Sequence, residues 1–372
     1  MKVRSVRRWA VVAVGLALLC GLPVIASALP VSVPALTASQ LRGRILASAN
    51  ESYAGYAESN ATFGLPPVAG LTGLTSLLNG VTKMRVWQAT PARWRVDVLS
   101  DAGERDMYQL SGCRSYIWDS GSQLLTEVRG RQTFRLPRPA DLVPPALALR
   151  LLSEAGRQAR FGVIAPVRVA GRSAAGLRMT PADTASTVGH VDIWADPSSG
   201  LPLLVEIFSR GTVRPALKSQ FFQVSPWRQD PRVLTPVRSA GTGFTVTRAG
   251  NLAGALSDLG LVALPAQLAG RNRLPVQPGF ETIGTYGGGL TTFVVVGVRG
   301  SAGRHLVPDA VSAGGTPLAI AGGAGVVIGA PLINAVIVRP PGFFVTFLLA
   351  GTVSAQLLEQ AAAELTQQVT LS

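Results

Sequence analysis

Lys83-Met84-Arg85-Val86-Trp87-Gln88 and, across Thr90-Pro91-Ala92, Arg93-Trp94-Arg95-Val96-Asp97-Val98-Leu99 decide the fold class. In the second run Trp94, Val96 and Val98 alternate with Arg93, Arg95 and Asp97, so one face of an extended chain is apolar and the other charged. Side chains of a strand point to opposite faces at successive residues, and an antiparallel sheet with one wet face shows that period. The short break with its proline makes the pair a hairpin. Working outward, residues 105–110, 114–118 and 123–128 continue the meander, separated by Ser111-Gly112 and Asp119-Ser120-Gly121. Residues 162–169, 176–179, 188–195, 201–208 and 219–224 form a second set, with Asp196-Pro197-Ser198-Ser199-Gly200 as a turn. A short amphipathic helix is expected over residues 37–50, and another after Pro144-Pro145, where Leu147, Leu149, Leu151 and Leu152 break the strand rhythm. Nine or ten antiparallel strands in one sheet must curl strongly or close.

The stretch from Ser225 to Arg248 is rich in Pro, Arg, Ser and Gly and reads as a connector with one short extended piece. A smaller α+β unit is expected beyond it. It has a helix over 253–264, strands over 291–298, 325–328, 335–338 and 343–350, and a closing helix over 354–368. The organisation predicted is therefore 1–28 a signal peptide or membrane anchor, 29–50 a linker and short helix, 51–230 the large sheet domain, 231–250 a linker, and 251–372 the C-terminal domain. No period of 20 to 50 residues repeats, which excludes solenoids and propellers.

Compartment is read from the N-terminus. Lys2, Arg4, Arg7 and Arg8 precede an apolar run from Trp9 to Leu22, followed by Ala26-Ser27-Ala28. These are the parts of a secretory signal, although the run is also long enough to remain as an anchor. Leu18 and Leu19 before Cys20 argue against a lipidation site. Cys113 is then the single cysteine of a cleaved chain, which excludes an intramolecular disulfide, and it is expected as a small buried hydrophobe. The net charge of +14 comes from 34 Lys and Arg against 20 Asp and Glu. Only Lys2, Lys83 and Lys218 are lysines, and the arginines are scattered singly, with no basic run interleaved with aromatics. Nucleic acid is thus not the expected partner, whereas anionic lipids or envelope polymers suit the excess charge.

Enzymatic signatures are absent. The chain has only two histidines, His190 and His305, and no Gly-x-Ser-x-Gly, His-Glu-x-x-His, Cys-x-x-Cys or phosphate loop. Asp97, Glu127, Asp192 and Glu206 lie on polar strand faces, where solvation or arginine partners are expected. Two carboxylates converging in a cleft would be the mark of a glycosidase. No catalytic residue, metal ligand or cofactor is assigned.

Three passages in the first domain resemble the periplasmic lipoprotein-carrier (LolA-like) superfamily and its relatives, the MucB/RseB-type regulators of an envelope-stress sigma factor. They are Met84-Arg85-Val86-Trp87 through Arg93-Trp94-Arg95-Val96, Cys113 to Trp118, and Val169-Ala170-Gly171-Arg172 through Gly200-Leu201-Pro202-Leu203-Leu204-Val205-Glu206. Tyr286-Gly287-Gly288-Gly289-Leu290 and Leu349-Ala350-Gly351-Thr352-Val353-Ser354 resemble the start and end of the regulators' C-terminal domain. The resemblance implies an unclosed β-barrel, partly plugged by helices, that holds acyl chains or a lipidated partner. For the regulators it further implies binding of the exported segment of a membrane anti-sigma factor. The proline-rich hairpin tip Val338-Arg339-Pro340-Pro341-Gly342 matches no binding element of the family.

The inner face of a half-barrel must be filled or occupied. Trp94, Val96, Val98, Val191, Ile193, Val205 and Ile207 form the apolar set expected to line a ligand cavity. Three functions stay open at this point: a sigma-pathway regulator with a two-domain binding surface, a lipid or lipoprotein carrier with an open cavity, and a structural envelope protein with a closed core.

Overall fold

A computed structural model describes residues 31–64, 72–101, 103–130, 137–156, 158–226, 229–239, 241–248, 262–275, 283–320, 323–342, 344–368 and 370–371. The expected signal or anchor, and residues 253–261 of the expected helix, lie outside them. The chain is α+β, as the sequence implies, and it is organised on two sheets.

The first meander comprises β1 (Tyr53–Ala61), β2 (Val81–Thr90), β3 (Arg93–Ser100), β4 (Gly103–Ser111), β5 (Arg114–Asp119) and β6 (Leu124–Arg129). The second comprises β7 (Arg160–Val169), β8 (Arg172–Thr180), β9 (Val188–Ala195), β10 (Pro202–Ser209) and β11 (Leu217–Ser225). Antiparallel pairing of β1 with β11 joins them into one sheet. The piece foreseen within the connector, β12 (Gly243–Arg248), runs parallel to β6 and completes the unclosed order β12-β6-β5-β4-β3-β2-β1-β11-β10-β9-β8-β7. The sequence count of nine or ten thus falls short of twelve strands.

Two helices cover the inner face. The first, α1 (Ala38–Ala47), starts at a capping box in which Gln40 N donates to Thr37 Oγ1 (3.2 Å) and Thr37 N to Gln40 Oε1 (2.9 Å). It buries Leu41 and Ile45. A second short helix, α2 (Thr72–Leu78), precedes β2. The main cover is α3 (Pro144–Ser153), whose paired prolines sit where a helix needs no N–H partner. It buries Leu147, Leu151 and Leu152 against the sheet, each worth about 1.5–3 kcal/mol of apolar transfer.

The second sheet holds β16 (Ile283–Tyr286), β17 (Phe293–Arg299), β18 (Thr316–Ile320), β19 (Gly323–Ile328), β20 (Asn334–Arg339) and β21 (Val345–Gly351) in the order β16-β17-β21-β20-β19-β18. Short pairs β13 (Val262–Ala263) with β22 (Thr370–Leu371), and β14 (Gln267–Leu268) with β15 (Arg271–Asn272), flank it. Helix α4 (Gly300–Ser312) packs Leu306, Val307 and Ala310 against Val326, Ile337 and Leu348. On the other face, α5 (Ala355–Gln368) packs Leu358, Ala361, Ala362 and Leu365 against Phe293, Val295, Val336 and Phe347. The apolar β17 therefore obtains the two-sided cover that its sequence demands.

The sheets meet at a seam of hydrogen bonds accepted by main-chain carbonyls. Thr187 N donates to Thr352 O (3.1 Å) and Ser354 N to Ala185 O (2.8 Å). The Ser186 hydroxyl donates to Leu290 O (2.8 Å) and that of Thr187 to Leu332 O (2.7 Å). Leu290 and Leu332 pack into the large sheet's core, so the apolar interior is continuous across the seam.

Cys113 is exposed on the β4–β5 turn, which corrects the expectation of a buried thiol. The turn carries it past the sheet edge, where alternation no longer assigns a face. The turn before β10 matches the sequence reading. Asp196 Oδ1 accepts from Ser198 N (2.9 Å), and Gly200 has φ +76°. A Cβ at Gly200 would lie 2.2 Å from Arg44 O, so this glycine is also where α1 docks. Gly200→Ala should therefore combine left-handed strain with a backbone clash and cost at least about 1–3 kcal/mol in urea unfolding.

Candidate functional site

Trp94 and Val96, on the inner face of β3, line a cleft of about 190 Å³ with Val86 of β2 and Tyr53 of β1. Val143, Pro145, Ala146 and Leu149 from α3 and the residue before it form the other wall. Gln88, Arg138 and Asp141 also line it, and the Arg138 guanidinium stacks over Trp94, 4.9 Å from the ring centroid. Tyr53 donates its hydroxyl to Gln88 Oε1 at 3.1 Å. Trp94, Ala146 and Leu149 remain partly exposed, so the cleft is an apolar slot between a strand and the helix that covers it.

The remaining five residues of the predicted cavity set do not reach this cleft. Val191 lies opposite Ile207, and Ile193 opposite Val205, in the β9–β10 pairing. All four are buried in the core, while Val98 is partly buried against it. The residues that complete the cleft, Val143 to Leu149, were read in the sequence as a helix that covers; their apolar density was the available signal for a wall.

The opposite face of the same strands carries charge, as alternation requires. Arg95 donates from Nε to Asp97 Oδ1 (2.6 Å), from Nη2 to Asp106 Oδ2 (3.0 Å) and from Nη1 to Val233 O (3.4 Å). Its guanidinium also lies 5.0 Å from the rings of Trp87 and Tyr108. Asp97 and Asp106 are cross-strand partners, and both are buried, at 1% and 4% exposure. Together with Glu104 they bring carboxylate oxygens within 4.8 Å of one another. Burial raises both aspartates, Asp97 to about 7, while Arg95 draws them down.

A hollow of about 300 Å³ lies between this face and the segment leading to β12, and Asp106 borders it. Asp97 does not, and Arg95 bridges the two aspartates. The other acids named from sequence have basic partners. Glu127 accepts from Arg114 (2.9 Å) and Arg129 (2.8 Å), Asp192 from Arg178 (2.7 and 2.6 Å), and Glu206 pairs with Lys218 (3.2 Å). His190 stacks on Phe208 with centroids 4.3 Å apart, and burial lowers its proton affinity; His305 is exposed on α4.

A third hollow, about 320 Å³, opens at the seam between Glu154, Ala155, Asp183, Gly288 and Leu290. Arg271 reaches Asp183 across the same seam at 2.7 Å.

No protein-family model matches the chain, and no curated protein matches it. Solved structures do. The chain is structurally similar to MucB over most of its length. The complex of Pseudomonas aeruginosa MucA/MucB aligns at 17% identity over 90% of this chain and 99% of that one, with a TM-score of 0.49. MucB in complex with MucA(peri) aligns at 16% over the same shares, with a TM-score of 0.48. A LolA superfamily protein from Nitrosomonas europaea aligns at 12% identity over 54% of this chain and 99% of that one, with a TM-score of 0.26. Among the described residues no helix is long and apolar enough to cross a membrane.

The paired aspartates generate a pH prediction. Asp97 has a folded pKa above its unfolded value, so between about pH 4 and 7 the native state holds a proton that the unfolded chain has lost. This term favours folding at the acid end and is lost as pH rises toward 7, at a slope of at most about 1.4 kcal/mol per pH unit. Urea midpoints should fall between pH 5 and 8 in the wild type, and Asp97→Asn should flatten that fall.

Proposed function

We propose that the protein is an exported, non-enzymatic binding protein of the cell envelope. Its half-barrel cleft takes the end of an acyl chain, from a lipid or a lipidated partner. It also holds an exported segment of a membrane anti-sigma factor, as part of an extracytoplasmic sigma-factor pathway. The observation that carries this reading is the slot between Trp94 and Leu149: an opening with an apolar strand floor and an apolar helix wall.

Size decides between the uses of such a slot. Ligand pockets usually span about 300–1,000 Å³. At about 190 Å³ this cleft accommodates a chain end but not the body of a lipid. That supports sensing over transport. A purely structural role would leave no reason for Trp94, Ala146 and Leu149 to stay partly exposed beside one another. The non-enzymatic part of the reading is supported by the basic partners of the four acids singled out in the sequence, Asp97, Glu127, Asp192 and Glu206.

Mass spectrometry of lipids that co-purify with the exported protein tests the reading. Ala146→Trp, which fills the slot from the helix side, should lower retained acyl lipid at least tenfold without shifting the urea midpoint. Equal lipid in both proteins, or none in either, would sink the acyl-binding reading.

A further inference from the structure

The large sheet ends at β7, which has β8 on one side and no strand on the other among the described residues. Its first half, Arg160-Phe161-Gly162-Val163-Ile164, has no strand partner on its outer edge among the described residues, while Phe161 and Ile164 pack inward. Arg160, Gly162 and Val163 are exposed, Val163 at 54%, and nothing lies within 4 Å of where a Gly162 Cβ would stand. Alternate residues of an edge strand direct N–H and C=O groups away from their neighbour, so this stretch presents a hydrogen-bonding ladder that no described strand fills. The open run stops at Ala165, whose carbonyl accepts from Trp194 Nε1 (3.0 Å), and at Pro166, which has no N–H.

Charge selects the occupant. The two terminal strands carry Arg160, Arg168, Arg172 and Arg178 and no acidic residue, and the adjacent α1 adds Arg42 and Arg44. Arg172 and Arg178 are matched by Asp196 and Asp192, whereas Arg160 and Arg168 stand exposed on the edge strand itself. A second copy of this chain, with net charge +14, would bring a second basic surface against this one, and like charge opposes that association.

We propose that β7 is a docking edge that takes an extended, acidic segment of another polypeptide as an added strand, paired to residues 160–164. The proposal rests on the partner-binding half of the function above and is independent of the acyl cleft. Main-chain bonds would supply affinity and the flanking arginines selectivity.

The test uses the full chain and a fluorescent dodecapeptide of alternating threonine and glutamate, with a control methylated at every backbone nitrogen. Amide exchange over 160–164 should slow at least tenfold with the first peptide and stay unchanged with the second. Arg160→Glu/Arg168→Glu should weaken peptide binding at least tenfold while leaving acyl-lipid retention intact. Equal binding of both peptides, or protection only elsewhere, overturns the edge and leaves a different partner surface standing. Absence of binding by the acidic peptide overturns it as well. A self-associated form that protects 160–164 and resists the peptide would make a second copy the occupant, against the proposal.

Discussion

An open sheet of twelve strands has an inner face that its own side chains cannot seal, and the cover supplied by α3 is the constraint on which the rest of the large unit depends. Because the helix is tethered between β6 and β7, it must cross from one meander to the other, over the β1–β11 join. Leu147, Leu151 and Leu152 fill most of the space, and the Ser219 hydroxyl ties down Leu142 O just before the helix. What α3 leaves uncovered beside Trp94 is the cleft. Core and candidate site are thus one packing problem with one incomplete edge.

The outer face solves the opposite problem. Carboxylates on β3, β4, β6 and β9 lie under neighbouring side chains rather than in water, and each is held by guanidinium groups. Burying charge is costly unless it is paired with good geometry. Arg95 shows how much one residue can carry, because it joins two acids, two aromatic rings and the carbonyl of Val233 in the segment that leads to β12. The segment after β11 is brought back to the first meander through that contact.

Period-two alternation made most of the large sheet legible, including both faces of β3 and the turn at Asp196. It failed at β1, whose residues Tyr53-Ala54-Gly55-Tyr56-Ala57 are mostly small. A Cβ at Gly55 would meet Gln223 O at 2.3 Å, so the glycine that weakens the pattern exists to admit β11 and the Phe221 ring. Helix α4 was missed because Gly300, Gly303 and Pro308 argue against a helix locally, while packing on Val326 and Ile337 decides in its favour. For the site, Trp94 and Val96 were readable from alternation. Which of the seven apolar residues would stay open was not, since that depends on where α3 comes to rest, a property of the whole fold. Asp97 was readable as charged and facing outward, but its burial was not, because the cover arrives from residues more than a hundred positions away.

The seam between the two sheets is written largely in peptide groups: Thr187 to Thr352, Ser354 to Ala185, and hydroxyls aimed at carbonyls of Leu290 and Leu332. Peptide groups are the same whatever side chain they bear. Side chains can therefore change at positions such as Ala185 and Thr352 without unlocking the junction, provided that Ser186 and Thr187 keep their hydroxyls and Gly289, packed against the Glu154 carbonyl, stays small. The surfaces on either side remain free to diversify toward new partners while the angle between them is inherited unchanged.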